Sequence, residues 1–137
     1  LRAHSDFLDG IDDHIKDDQL HEVMPGLYSN GEVEIGDGVV LKSNVIVGSG
    51  SVIGDGCILG ASTLGDRCIV EANVEITNSV VFSGSKIGKN SIVDSSIIGN
   101  SCDLGEDVQL RDLTLIGDHE KIEPNTSLRG ERLSSVV

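Results

Sequence analysis

Four histidines and three cysteines are the side chains of this sequence best suited to act as bases, nucleophiles or metal ligands. His119 lies in Gly117-Asp118-His119-Glu120 and could act as a general base. Its plain alternative is a solvated corner residue. His4, His14 and His21 stand at uneven spacing in an acidic segment, a poor pattern for a metal site, so no metal ligand set is assigned. Acids are scattered (Asp37, Asp55, Asp66, Asp94, Glu106, Asp107, Asp112 and Asp118), and no paired-carboxylate site can be singled out. Lys42, Arg67, Lys86, Lys89 and Arg111 could form an anion site, but their pattern does not choose among them. Gly48-Ser49-Gly50 imitates a phosphate loop but opens no helix, and carries no weight.

The elements that must position these residues are repeats. An aliphatic or aromatic residue recurs at Ile35, Leu41, Val47, Ile53, Leu59, Leu64, Val70, Ile76, Phe82, Ile87, Val93, Ile98, Leu104, Leu110, Ile116, Ile122 and Leu128. Thirteen of the steps are six residues and three are five (59 to 64, 82 to 87, 93 to 98). Two positions before each stands a residue that is small or β-branched nearly every time, among them Ser51, Cys57, Cys68, Val80, Ser96 and Cys102, with Glu120 the exception. A spacing of two places both side chains on one face of a strand. Gly or Asn falls repeatedly three residues after the aliphatic position, as at Gly38, Asn44, Gly50, Gly56, Asn73, Asn90 and Asn125, and Gly84 stands two after Phe82; a turn with positive φ is expected at each.

Each hexad is therefore one short strand and one corner. Three hexads close a triangular coil of about 18 residues, and the series makes five to six coils. The period predicts three inward stacks. The first is Ile35, Ile53, Val70, Ile87, Leu104 and Ile122. The second is Leu41, Leu59, Ile76, Val93, Leu110 and Leu128. The third is Val47, Leu64, Phe82, Ile98 and Ile116. All three cysteines fall on the small inward position. Cys68 and Cys102, two coils apart at roughly 9–10 Å, are too distant for a disulfide, so all three read as core thiols. Unpaired thiols are expected of a cytoplasmic protein.

Residues 1–22 break the rule. Leu1, Leu8, Ile11 and Ile15 have helical spacing with Asp6, Asp9, Asp12 and Asp13 interleaved, so a short N-terminal helix and linker are expected there, with the β domain over 23–137. Met24-Pro25-Gly26 is a break, and Tyr28-Ser29-Asn30-Gly31 reads as a turn into the first coil. The helix's apolar stripe needs a surface: the end of the coil stack, a second subunit or a further domain. Net charge is −13, with nine acids and two bases in residues 1–34 alone, which argues against nucleic acid or an anionic membrane as partner. No run approaches the ~18–20 apolar residues of a membrane span.

The stretch Leu1-Arg2-Ala3-His4-Ser5-Asp6-Phe7-Leu8-Asp9-Gly10-Ile11 resembles the helix that closes the catalytic domain of sugar-1-phosphate nucleotidyltransferases (NDP-sugar pyrophosphorylases). Asn78-Ser79-Val80-Val81-Phe82-Ser83-Gly84, Asp94-Ser95-Ser96-Ile97-Ile98-Gly99 and Leu113-Thr114-Leu115-Ile116-Gly117-Asp118 look like the hexapeptide-repeat tail of that family, nearest its glucose-1-phosphate thymidylyltransferase-like members. The resemblance implies a left-handed parallel β-helix. The period does not fix the hand, and parallel crossovers are right-handed in most folds. It implies a domain that assembles the enzyme, as a trimer through flat faces, and that carries no catalytic residue for nucleotidyl transfer. The family's "G-x-G-x-R" loop and Mg²⁺-binding aspartates are absent. Mg²⁺ and NTP would therefore belong to a catalytic domain outside this sequence, and a chain that starts at Leu1 agrees with a C-terminal piece of a longer polypeptide. The same fold serves acyltransferases that use acetyl-CoA, where a His acts as base. His119 is the candidate for that alternative, although the array lacks the loop insertion common in such enzymes. Carbonic anhydrases of this fold use three His on Zn²⁺, which this array cannot supply.

Overall fold

The computed structural model describes residues 20–135. The expected helix over 1–22 falls almost wholly outside them. The described chain is all β, a solenoid of about six turns whose strands form three parallel sheets. One six-stranded sheet stacks Ile35, Ile53, Val70, Ile87, Leu104 and Ile122 in register. A second stacks Leu41, Leu59, Ile76, Val93, Leu110 and Leu128. Both match the stacks expected from the period. Strands are only two to four residues long because a strand lasts only until the next corner.

The third sheet departs from expectation at one residue. Leu64 is paired with Val81, not Phe82, and Val81 continues to Ile98 and Ile116. Val81 is 1% exposed and Phe82 46%. The inward partner two positions earlier is accordingly the fully buried Ser79, and Val80 points outward. The short step therefore runs from Ile76 to Val81. It falls on the same corner as Leu59 to Leu64 and Val93 to Ile98, so three successive coils are shortened at the same place. The Phe82 ring was the larger apolar candidate, but the backbone register aligns Val81 with Leu64 and Ile98 and leaves Phe82 at the exposed corner.

That corner is closed by buried hydroxyls. Ser62, Ser79 and Ser96 each donate to the carbonyl two residues back, at 2.8, 2.8 and 2.9 Å. The Ser62 and Ser79 oxygens also accept the N–H of the next serine in the column, at 3.2 and 3.1 Å. Each buried polar atom is thus satisfied while the coils are tied together.

The first described element is an antiparallel hairpin on the third sheet, β1 (His21–Met24) and β2 (Leu27–Ser29), joined at Pro25-Gly26. Gly26 has φ 89°, which glycine alone adopts without strain. Tyr28 and Ser29 are therefore strand, not the expected turn. β2 pairs in parallel with Val45–Val47 and begins the stack.

Candidate functional site

The corners carry His119 and many of the acids, and their geometry follows from the backbone. At the corner between the third and first sheets, the residue two places past Gly48, Gly65, Phe82, Gly99 or Gly117 has positive φ: Gly50 79°, Arg67 54°, Gly84 75°, Ser101 54° and His119 61°. Each of Arg67, Gly84, Ser101 and His119 donates its N–H to a carbonyl of the coil before, His119 to Asn100 O at 2.8 Å. His119 is thus one step of a ladder of left-handed residues. Asn44, expected to be one, is not, while Ala61, Arg67, Ser95, Ser101, Asp107, Asp112 and Leu113 are, without the Gly or Asn signal.

The His119 side chain is exposed and makes no hydrogen bond or ion pair among the described residues. Beside it, Asp118 Oδ1 accepts the Asn100 N–H at 2.7 Å and the Asn100 Nδ2 at 3.2 Å. Those bonds, with the neighbouring His119, hold the Asp118 carboxyl below its usual range. Asp118 is committed to Asn100 and does not orient the imidazole, which a base needs in order to present one defined nitrogen. His119 lines neither the groove at Leu20–Ile46–Thr63 nor the one at Glu32–Val33–Val52.

The three cysteines are free and buried. Cys57 Sγ donates to Glu71 O at 3.1 Å, Cys68 Sγ to Phe82 O at 3.3 Å and Cys102 Sγ to Gly117 O at 3.0 Å. Ser51 and Ser85 make the equivalent bond to Gly65 O and Gly99 O at 3.0 and 2.7 Å. The thiol thus does the work of a serine hydroxyl at a narrow inward position. Burial pushes all three thiols up, which suits core residues and not nucleophiles.

The basic residues do not gather. Lys86 pairs with Glu71 at 3.7 Å on the first sheet, and Lys89 with Glu106 at 3.8 Å on the next corner. Arg67 stands on a different corner. Lys42 and Arg111 share an outward column of the second sheet, separated by Gly60, Thr77 and Asp94. Among the described residues no three His, Cys, Asp or Glu come together to hold a metal ion, and no helix is long and apolar enough to cross a membrane. His21 is exposed on β1; His4 and His14 lie outside the described residues.

Residues 25–128 match the family model of the EIF2B subunit epsilon LbH domain. The chain belongs to that family. Membership supplies the left hand of the β-helix, which the hexad period alone does not. No curated protein matches the chain in sequence. Among solved structures, this LbH domain is similar to the acetyltransferase domain of PglB from Neisseria gonorrhoeae FA1090, at 16% identity and TM-score 0.48 over 76% of this chain and 54% of that one. The same domain in complex with acetyl coenzyme A gives 14% identity and TM-score 0.45 over 77% and 55%. The chain therefore spans about half the length of those solved chains.

One surface of the LbH domain was not visible from the motifs. The outward row of the third sheet reads Tyr28, Ile46, Thr63, Val80, Ile97, Leu115 and Arg132. Charged residues interrupt the outward row of the first sheet (Glu34, Lys86, Asp103, Lys121), and Glu75 and Gln109 interrupt that of the second. Once Phe82 is placed in the core, as the period alone predicts, Val80 becomes an inward residue and the apolar row is broken. The correction to Val81 is what restores it.

Proposed function

We propose that this chain is the C-terminal assembly and regulatory domain of a sugar-1-phosphate nucleotidyltransferase, an enzyme that joins NTP and a sugar 1-phosphate into an NDP-sugar and pyrophosphate. The observation that carries the reading is the uninterrupted solenoid. From Ile35 to Leu133 every inward residue follows the last by five or six positions, with no inserted loop to wall a cleft. Such a rod offers flat faces for assembly, and its corner histidine, His119, lines neither groove. Resemblance of the sequence from Leu1 to Ile11 to the closing helix of the nucleotidyltransferase domain supports the parent enzyme. In this reading residues 1–22 are the join, 23–137 the β-helix, and Mg²⁺ and NTP bind in the preceding domain. The protein works in the cytoplasm as a homo-oligomer, a trimer.

The alternative is acetyl-CoA-dependent acyl transfer to a sugar or amino sugar with His119 as base. An exposed, unoriented imidazole outside both grooves speaks against it. Sedimentation equilibrium and acetyl-CoA titration separate the two. Assembly into a trimer with no saturable acetyl-CoA binding is expected. Saturable binding, with acyl transfer lost in His119→Ala, would replace the first reading by the second.

A further inference from the structure

Tyr28-Ser29-Asn30-Gly31 holds the chain's single Asn-Gly pair. The other asparagines, Asn44, Asn73, Asn78, Asn90, Asn100 and Asn125, precede Val, Val, Ser, Ser, Ser and Thr. A side-chain amide carbon is an electrophile, and a following glycine has no Cβ to keep its backbone nitrogen from reaching that carbon. Asp9-Gly10, Asp37-Gly38 and Asp55-Gly56 offer the same glycine, but an ionised carboxylate is a poor electrophile. Asn30 is exposed, on the corner of the first coil between the third and first sheets. Two bonds hold the pair there. Asn30 Oδ1 accepts the Ser49 N–H at 3.1 Å, and the Gly31 N–H donates to the buried Ser29 Oγ at 3.2 Å. Gly31 is also packed close to the second coil, since a Cβ on it would sit 2.6 Å from Ser49 Cβ.

We propose that Asn30-Gly31 is a self-modification site that loosens the first coil irreversibly, at a rate set by the two bonds that hold it. When the corner opens, the Gly31 nitrogen attacks Asn30 Cγ. The N–Cγ bond forms, the Cγ–Nδ2 bond breaks, and Nδ2 leaves as ammonia with the proton of the Gly31 N–H. Water then adds to the cyclic imide at one of its two carbonyls. Opening at Cγ gives aspartate at position 30. Opening at the main-chain carbonyl gives isoaspartate, whose backbone runs through Cβ and Cγ and is one atom longer. The aspartate keeps an oxygen for the Ser49 N–H. The isoaspartate does not fit, because Gly31 has no slack against Ser49 to take up the added atom. It gives up the Ser49 bond and strains the next link between the two coils, the Gly50 N–H to Glu32 O at 2.7 Å.

The test incubates the folded full chain in mildly alkaline buffer and maps its peptides by mass spectrometry, with fragmentation that separates isoaspartate from aspartate. Residue 30 should convert first, ahead of the six other asparagines. Ser29→Ala releases the Gly31 N–H and should speed conversion at residue 30 by roughly three- to tenfold, with the other asparagines unchanged as internal controls. Conversion of another asparagine first overturns the proposal, and so does an equal rate at residue 30 in Ser29→Ala and the parent. Hydrogen exchange then compares the purified isoaspartyl form with Asn30→Asp. The amides of Ser49 and Gly50 should exchange faster by about tenfold in the isoaspartyl form only, with that of Leu110 unchanged. Exchange identical to the parent's in the isoaspartyl form overturns the loosening of the coil. If Ser29→Ala does not fold, the parent decides, through the order in which its asparagines convert and the exchange of its isoaspartyl form.

Discussion

At His119 the backbone has φ 61°, and the equivalent residues of the preceding coils are Ser101, Gly84, Arg67 and Gly50. The turn requires a left-handed residue, and His tolerates that region better than a β-branched residue does. His119→Gly or His119→Asn should leave the urea midpoint unchanged or raised. His119→Val should cost about 1–2 kcal/mol of stability. Equal midpoints for Val and Gly would show that the corner does not demand this conformation.

The cysteines give a pH dependence. Each thiol is pushed up by burial, so the folded chain keeps its protons after the unfolded chain has lost them. Their contribution is fully present below the unfolded thiol value and is lost as pH rises past ~8.5 toward the folded one. Melting temperature should fall between pH 8 and 10 by less in a Cys57→Ser, Cys68→Ser, Cys102→Ser variant than in the parent. An identical fall would remove the thiols from the account.

Among the elements, the shortened corner is the most exacting. Ser79 is fully buried, donates to Thr77 O and accepts from Ser96 N. Ser79→Ala leaves the buried Ser96 N–H without its acceptor, while Thr77 O keeps the Ser95 N–H, and should cost about 1–3 kcal/mol by chemical denaturation. The glycine column beside Phe82 is set by the approach of successive coils: a Cβ on Gly65 would sit 2.6 Å from Ser83 N, a backbone atom. Gly65→Ala should therefore destabilise by about 1–3 kcal/mol, whereas Phe82→Ser, at an exposed place in that column, should stay within about 0.5 kcal/mol. A larger loss from Phe82→Ser than from Gly65→Ala would return Phe82 to the core.

Two of the three stacks were legible from the sequence alone, because Ile35–Ile122 and Leu41–Leu128 keep a spacing that only inward residues satisfy. The third stack misled at Val80-Val81-Phe82, where three adjacent apolar residues fit the period in more than one frame. Size favoured Phe82, but corner geometry, absent from the period, decided for Val81. The positive-φ places occupied by Arg67, Ser101 and His119 were missed for a related reason: backbone pairing between coils imposes the turn whatever the side chain. The cysteines were placed correctly because their position in the hexad sufficed. The outward apolar row was hidden because it emerges only when the frame at Val81 is right.

The described residues form a rod within a chain of net charge −13, and the acids among them are distributed over corners and outward rows. Repulsion among them opposes the folded state and the approach of a second copy. Salt reduces the reach of these charges from ~10 Å at 0.1 M to ~3 Å at 1 M. Melting temperature and the oligomeric fraction should both rise between 0.1 and 1 M NaCl. A fall in both would mean that the ion pairs Lys86–Glu71 and Lys89–Glu106 outweigh the repulsion. At this scale the proposed function has the rod hold copies of a catalytic domain together, which makes the length of the native polypeptide the decisive quantity. Denaturing mass spectrometry of the protein from its natural source measures it. A polypeptide longer by roughly 200 residues, the size of an α/β nucleotide-binding domain, is the predicted result. A native polypeptide of only 137 residues would contradict the assignment to a nucleotidyltransferase.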